Sequence, residues 1–138
     1  MEIPSDIVQR LWVAACAAQQ RAYAPYSRFS VGAAVWDEHG NIHAGCNVEN
    51  AASPQGWCAE ASAISAMVMA GGQRIRGALV VGTGGTWISP CGGCRQKLAE
   101  FAEADTPVVS ATPAAIGPVY SLGQLLPHSF GASHLGVR

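Results

Sequence analysis

The sequence predicts an α/β protein of three layers, α/β/α, built on a mixed five-stranded sheet, and three observations predict it. Apolar patterning runs in the order helix, strand, strand, helix, strand, helix, strand, strand. The first two strands close as an antiparallel hairpin, while helices separate the strands that follow, so the sheet is mixed. One helix, over residues 58–70, is apolar nearly all round and is expected to be buried.

Ser5 or Asp6 caps the first helix, which is expected to run to about Tyr23 with Ile7, Leu11, Val13, Ala14, Ala18 and Ala22 as its apolar stripe. Pro25 stops it by pushing Ala24 out of helical backbone. Val31 to Trp36 reads as a buried strand, Asp37 to Gly40 as a turn, and Ile42 to Val48 as the returning strand. A loop from Asn50 to Trp57 leads into the helix over 58–70, which Gly71 and Gly72 end. Leu79 to Thr83 is a third, central strand. Ser89-Pro90 opens a helix from Cys91 to about Ala102, with Pro90 suited to its first turn. Pro107 to Ala111 and Pro118 to Ser121 supply the last strands, and the tail from Leu122 to Arg138 reads as irregular. With no repeat, linker or low-complexity stretch, residues 1–138 form a single domain.

Of the 138 residues, 49% are apolar and 12% charged, and the formal net charge is −1. That is the composition of a well-buried globular chain. It builds no basic face for phosphate backbones, which argues against a nucleic acid polymer as partner. The apolar excess favours burying part of the surface between subunits. The amino terminus lacks the basic and apolar regions of a secretory signal, and the apolar run over 61–70 is too short to span a bilayer. The expected location is therefore the cytoplasm, with no membrane partner. There, the five cysteines Cys16, Cys46, Cys58, Cys91 and Cys94 point to metal binding or catalysis rather than disulfides.

Two stretches carry chemistry: Cys58-Ala59-Glu60 and Pro90-Cys91-Gly92-Gly93-Cys94. Each falls at a predicted helix start, where the positive helix end and unpaired amide donors favour the thiolate. Cys91 and Cys94 form a chelating hook, and the glycines between them keep side chains out of the space a metal and substrate would occupy. Three thiolates leave one tetrahedral position of zinc open for water, which separates a catalytic site from a closed structural one. Glu60 is placed to sit beside that water without being a ligand. A lone Cys-x-x-Cys would equally fit a redox pair or half of a structural zinc site completed by Cys46, His39, His43, His128 or His134. The sequence holds no other Cys-x-x-Cys to complete one. Cys-x-Glu followed about thirty residues later by Pro-Cys-x-x-Cys, each opening a helix, is the zinc deaminase signature in its three-cysteine form.

Five separated stretches resemble the short, homotetrameric cytidine deaminases, from Tyr23 to Leu135. They are Tyr23-Ala-Pro-Tyr-Ser-Arg-Phe-Ser-Val-Gly-Ala-Ala34, Gly45-Cys-Asn-Val-Glu-Asn50, Cys58-Ala-Glu60, Ser89-Pro-Cys-Gly-Gly-Cys-Arg-Gln96 and Leu125-Leu-Pro-His-Ser-Phe130. The resemblance implies hydrolytic deamination of the nucleosides cytidine and 2′-deoxycytidine in pyrimidine salvage. It implies one zinc ion per subunit on Cys58, Cys91 and Cys94, with Glu60 as proton shuttle. It further implies that Asn47 and Glu49 bind the 3′-hydroxyl, that Phe29 packs against the base, and that the Ala59 backbone reads the pyrimidine's polar edge. Phe130 would reach into a neighbouring subunit's site, so a homotetramer would share its active sites across interfaces.

On spacing alone, Phe29 reads as a core residue, and Asn47 and Glu49 as the solvated face of a strand. The resemblance reverses both readings. Cys16 and Cys46 read as small buried hydrophobes, and the histidines receive no role. Two positions depart from the family pattern. Ala61 stands where most relatives have an arginine that donates to the thiolates, leaving helix amides and Arg95 to compensate. Ser53 stands where relatives often place a tyrosine near a neighbour's substrate. The nearest rival is a same-fold aminohydrolase acting on a modified cytosine nucleoside, of the blasticidin type, and Asn47-Val48-Glu49-Asn50 argues against it. A structural zinc module is the remaining alternative.

Overall fold

Helix α1 (Ser5–Gln19) buries Ile7, Leu11, Ala15 and Gln19, one residue per turn along a single stripe, in the computed structural model, which describes residues 2–138. Val13, expected in the stripe, lies 64% exposed on the outer side. Pro4 rather than Ser5 or Asp6 occupies the capping position, and no side chain caps the helix. The helix stops at Gln19, short of Tyr23, because the Tyr23 amide donates to Asn47 O at 3.0 Å and is committed to a bridge with Val48.

Strands β1 (Val31–Asp37) and β2 (Ile42–Cys46) form the expected antiparallel hairpin. Its turn is organised by the buried Asp37 carboxylate, which accepts the His39 and Asn41 amides at 2.9 Å each and meets His43 Nε2 at 2.7 Å. The returning strand ends at Cys46, and Val48 instead makes isolated bridges to Tyr23 and Trp57. Helix α2 (Ala59–Met69) leads to β3 (Ile75–Gly82), and α3 (Gly92–Phe101) connects β3 to its parallel neighbour β4 (Pro107–Ala111). Strand β5 (Ile116–Ser121) closes the far edge, giving the order β2-β1-β3-β4-β5 with β3 central, as expected.

Alternation along the strands makes two cores. Ala34, Trp36, Leu79, Val81, Val109 and Ala111 pack with the α1 stripe. Val35, Ala78 and Val108 point the other way, against Ala63, Ile64 and Met67 of α2 and Leu98 of α3. The layers are those the sequence predicts, although Val68 and Met69, on a helix expected to be buried all round, are exposed. The tail is more ordered than expected. Ser121 and Gln124 form a capping box on the short helix α4 (Leu122–Leu125), and a 3-10 turn spans Ala132–Leu135. Among the described residues, no helix is long and apolar enough to cross a membrane.

Candidate active site

Helices α2 and α3 both begin immediately after a cysteine. Cys58 and Cys91 hold the two capping positions in extended backbone, and Cys94 lies in the first turn of α3. Pro90 thus precedes the cap instead of entering the first turn. The three sulfurs all lie within 4.8 Å of one another. Zinc–sulfur bonds of roughly 2.3 Å place tetrahedral thiolates about 3.8 Å apart, so the cluster fits a single ion. Among the described residues no histidine, aspartate, glutamate or further cysteine joins these three to make a fourth ligand. The donor set therefore suits zinc with one position left for an exchangeable group, which favours an open site over a closed structural one.

Burial pushes the Cys58 and Cys94 thiols above the ordinary cysteine value. The Cys94 backbone N–H, at the positive end of α3, chiefly holds the Cys91 thiol below it. Glu60, second residue of α2, is only 7% exposed, and desolvation pushes its carboxyl above the usual carboxylate range. Ala59 is fully buried as the first residue of α2, where a backbone N–H has no intrahelical acceptor.

A cleft of about 740 Å³ opens over these groups. Cys58, Ala59, Glu60 and Cys91 form its floor, and Phe29, Asn47 and Glu49 stand in its wall. Among the described residues no lysine or arginine lines it, and its only charged side chains are Glu49 and Glu60. The wall owes its shape to a loop over 26–30 that is tied to the strand extension beyond β2. Asn47 Oδ1 accepts the Val31 amide at 2.8 Å and Nδ2 donates to Phe29 O at 2.9 Å. Glu49 Oε1 accepts the Tyr26 and Ser27 amides at 2.9 and 3.1 Å, and the Ser27 hydroxyl donates to Oε2. That hydroxyl contact, with the two amides, holds the Glu49 carboxyl below its usual value. The loop carries Arg28 at φ +60°, a left-handed conformation an arginine rarely adopts, and so turns Phe29 onto Gly82 at the end of β3.

Eight of the nine candidate residues therefore gather at one site: Cys94 lies in the cluster, and the cleft wall and floor hold the other seven. The ninth, Phe130, does not line the cleft of its own chain. It is 58% exposed and stacks on His134, with ring centroids 5.1 Å apart. Ser53 lines the cleft from a 3-10 turn at Ser53–Gln55. Arg95, expected to compensate for Ala61, is committed elsewhere: it donates to Pro90 O, Leu125 O and Ser89 Oγ at 2.7 to 2.8 Å. Tyr26, Trp57 and Ile88 also line the cleft and were not singled out from the sequence. Trp57 carried one usable signal, a large aromatic directly before a ligand cysteine. Cys16 packs half-buried against the α1 core, as a small hydrophobe should.

Thiols gathered at two helix starts with a buried carboxylate alongside define a metal-dependent hydrolase site. Comparison with known proteins narrows the class. Residues 5–110 match the family described as the cytidine and deoxycytidylate deaminase zinc-binding region, and the chain belongs to that family. It is 37% identical over 128 residues to a cytidine deaminase of Sporosarcina psychrophila, covering 93% of this chain and 94% of the relative. It is 39% identical to a cytidine deaminase of Mycobacterium tuberculosis over 118 residues, covering 83% and 82%. The crystal structure of cytidine deaminase from Burkholderia pseudomallei superposes with a TM-score of 0.81 at 40% identity, covering 88% of this chain and 98% of that one.

Proposed function

We propose that this chain deaminates free cytidine and 2′-deoxycytidine by hydrolysis, releasing ammonia and leaving the corresponding uracil nucleoside. The observation that carries the reading is the open three-cysteine cluster with Glu60 buried beside it, at the floor of a cleft without a cation. Cys58, Cys91 and Cys94 would hold the zinc ion, which supplies a Lewis acid able to bring the pKa of water towards roughly 7.

The chain's own groups account for the rest of the chemistry. Glu60 takes a proton from the attacking water and delivers it to N3 of the base, which makes C4 electrophilic. After the water oxygen has added to C4, Glu60 carries that oxygen's remaining proton to the amino nitrogen, the C4–N bond breaks, and ammonia leaves. One carboxylate serves both transfers because desolvation has already raised its pKa towards the working pH. The Ala59 N–H, free of a helical partner, is available to the pyrimidine's polar edge. Phe29 offers its ring to the base. Asn47 keeps one Nδ2 hydrogen, and Glu49 Oε2 keeps a lone pair, beyond the bonds that tie down the loop; both remain available to the 3′-hydroxyl. Phe130 lies exposed and outside its own cleft, which supports a role in the site of a neighbouring copy within a homotetramer.

The cleft's charge speaks for a nucleoside over a nucleotide. A 5′-phosphate would enter a pocket whose only ionisable side chains, among the described residues and besides cysteine and tyrosine, are two carboxylates. Turnover of cytidine and deoxycytidine should therefore exceed that of their 5′-monophosphates and of cytosine-containing oligonucleotides. Ammonia release from each compound, at equal concentration, is the test. Preference for a monophosphate or an oligonucleotide would overturn the reading.

A further inference from the structure

The proposed site gathers negative charge. Three thiolates around one divalent cation leave a net charge of −1, and an ionised Glu60 makes it −2. At a partly buried position such a sum needs a counter-charge. Two neighbours in sequence do not provide it: Ala61 is apolar and only 7% exposed, and Arg95 has its guanidinium nitrogens on Pro90, Leu125 and Ser89.

Lys97 lies one turn beyond Cys94 on α3, four residues after Gly93. Helical side chains lean toward the N-terminus of their helix, so Lys97 reaches back toward the start of α3, where two of the ligand cysteines sit. Its Nζ comes to 3.6 Å from the place where a Cβ on Gly93 would stand, and nothing else approaches that place within 4 Å. Gly93 is the residue directly before Cys94, inside the hook itself. The ammonium thus lies alongside the hook, at ordinary contact distance from where a Gly93 Cβ would stand. Among the described residues, the ion pairs are made by Arg74, Arg138, His39 and His43, and Lys97 has no carboxylate partner within bonding range.

We infer that Lys97 is the charge-balancing side chain of the metal site, acting through the thiolates and Glu60 and without touching the substrate. The inference rests on reading Cys58, Cys91 and Cys94 as zinc ligands. It also explains how the chain manages with alanine at position 61: the cation comes from the opposite helix, over a glycine.

The test compares Lys97→Met, which keeps the length and drops the charge, with Lys97→Arg, which keeps the charge. Lys97 is exposed, so neither variant removes core packing. Cobalt(II) loaded in place of zinc reports on the thiolates directly, through sulfur-to-cobalt charge-transfer absorption. Taking away a nearby cation raises the energy of the thiolate electrons, so Lys97→Met should move that band to longer wavelength. In the zinc form it should lower kcat/KM for cytidine about tenfold or more, the usual effect of losing a partner of the ligands. Lys97→Arg should keep both at the wild-type value. A Lys97→Met protein with an unchanged band and unchanged turnover overturns the inference, as does a Lys97→Arg protein that behaves like Lys97→Met. A wild-type protein that binds neither zinc nor cobalt overturns the ligand reading and the inference with it, and the metal content reveals this before any variant is made.

Discussion

On one face of the sheet α1 approaches β1 at Gly32, and on the other α2 approaches β2 at Gly45. A methyl group at Gly32 would stand 2.0 Å from Ala15 O, and one at Gly45 would stand 2.4 Å from the Ala63 amide nitrogen. Both contacts let a helix lie directly on backbone, yet only one of them positions chemistry. The α1 face is an apolar stripe on an apolar sheet, closed by Gln19, whose Nε2 donates to Ser30 O, and none of the candidate site residues lies on it. On the α2 face the same closeness fixes the first turn of a helix whose capping residue is Cys58 and whose second residue is Glu60. Sheet packing on the first face makes stability; on the second it makes stability and also positions the helix start that carries Cys58 and Glu60.

The largest effect should come from the cluster itself. Cys94→Ala should abolish zinc retention and turnover together, measured by metal content and ammonia release, while the α1 face is untouched. A zinc-loaded, active Cys94→Ala protein would remove that cysteine from the ligand set.

Next comes Leu11→Ala on the opposite face. Leu11 is fully buried, and truncation should cost about 2–5 kcal/mol in urea unfolding while kcat per folded molecule stays at the wild-type value. A matching fall in kcat would mean the two faces are not separable.

The glycine pair sharpens the same contrast. Gly32→Ala and Gly45→Ala should each cost about 1–3 kcal/mol by overpacking. Only Gly45→Ala should also lower kcat, by about tenfold to a hundredfold, because it displaces α2 and with it Cys58 and Glu60. Equal effects of the two on kcat would contradict the division of labour.

The smallest effect concerns the hairpin turn. Burial alone would raise the Asp37 carboxyl, but His43 and the Asn41 and His39 amides outweigh it and hold its pKa below the ordinary value. The folded protein then binds fewer protons at this group than the unfolded chain does. The stabilisation is complete above the unfolded pKa of about 3.9 and is lost as pH falls through the lower folded value. Urea midpoints taken from about pH 7 to about pH 3 should fall more steeply for the wild type than for Asp37→Asn. Parallel curves would show that Asp37 does not carry the acid sensitivity.

What could be read in the sequence was whatever depends on near neighbours. The strands, the hairpin turn at Asp37 to Gly40 and the two helix-opening cysteine motifs are local patterns, and the structure places them within a few residues of expectation. Helix α1 is shorter than its apolar pattern predicts because its end is set by the bond from Tyr23 to Asn47, a partner just beyond β2 and 24 residues away. The α4 capping box is a local pattern too, carried by Ser121-Leu-Gly-Gln124 within a tail whose composition predicts irregular chain. At the site, cysteine spacing exposed the ligands and Glu60. The roles of Asn47 and Glu49 in tying down the loop that carries Phe29 were not visible, since those bonds span 16 to 23 residues. Arg95 falls short of its expected role for the same reason: its guanidinium is held by Pro90 O, Leu125 O and Ser89 Oγ, and proximity in sequence to Cys94 does not decide where it points.

The central claim is that Glu60 moves the protons at a three-cysteine zinc site. The direct measurement is the loss of cytidine absorbance in zinc-loaded wild type and in Glu60→Gln, with metal content determined on the same samples. The account predicts that Glu60→Gln keeps its zinc and loses essentially all turnover. A zinc-loaded Glu60→Gln protein that deaminates cytidine at the wild-type rate would contradict it.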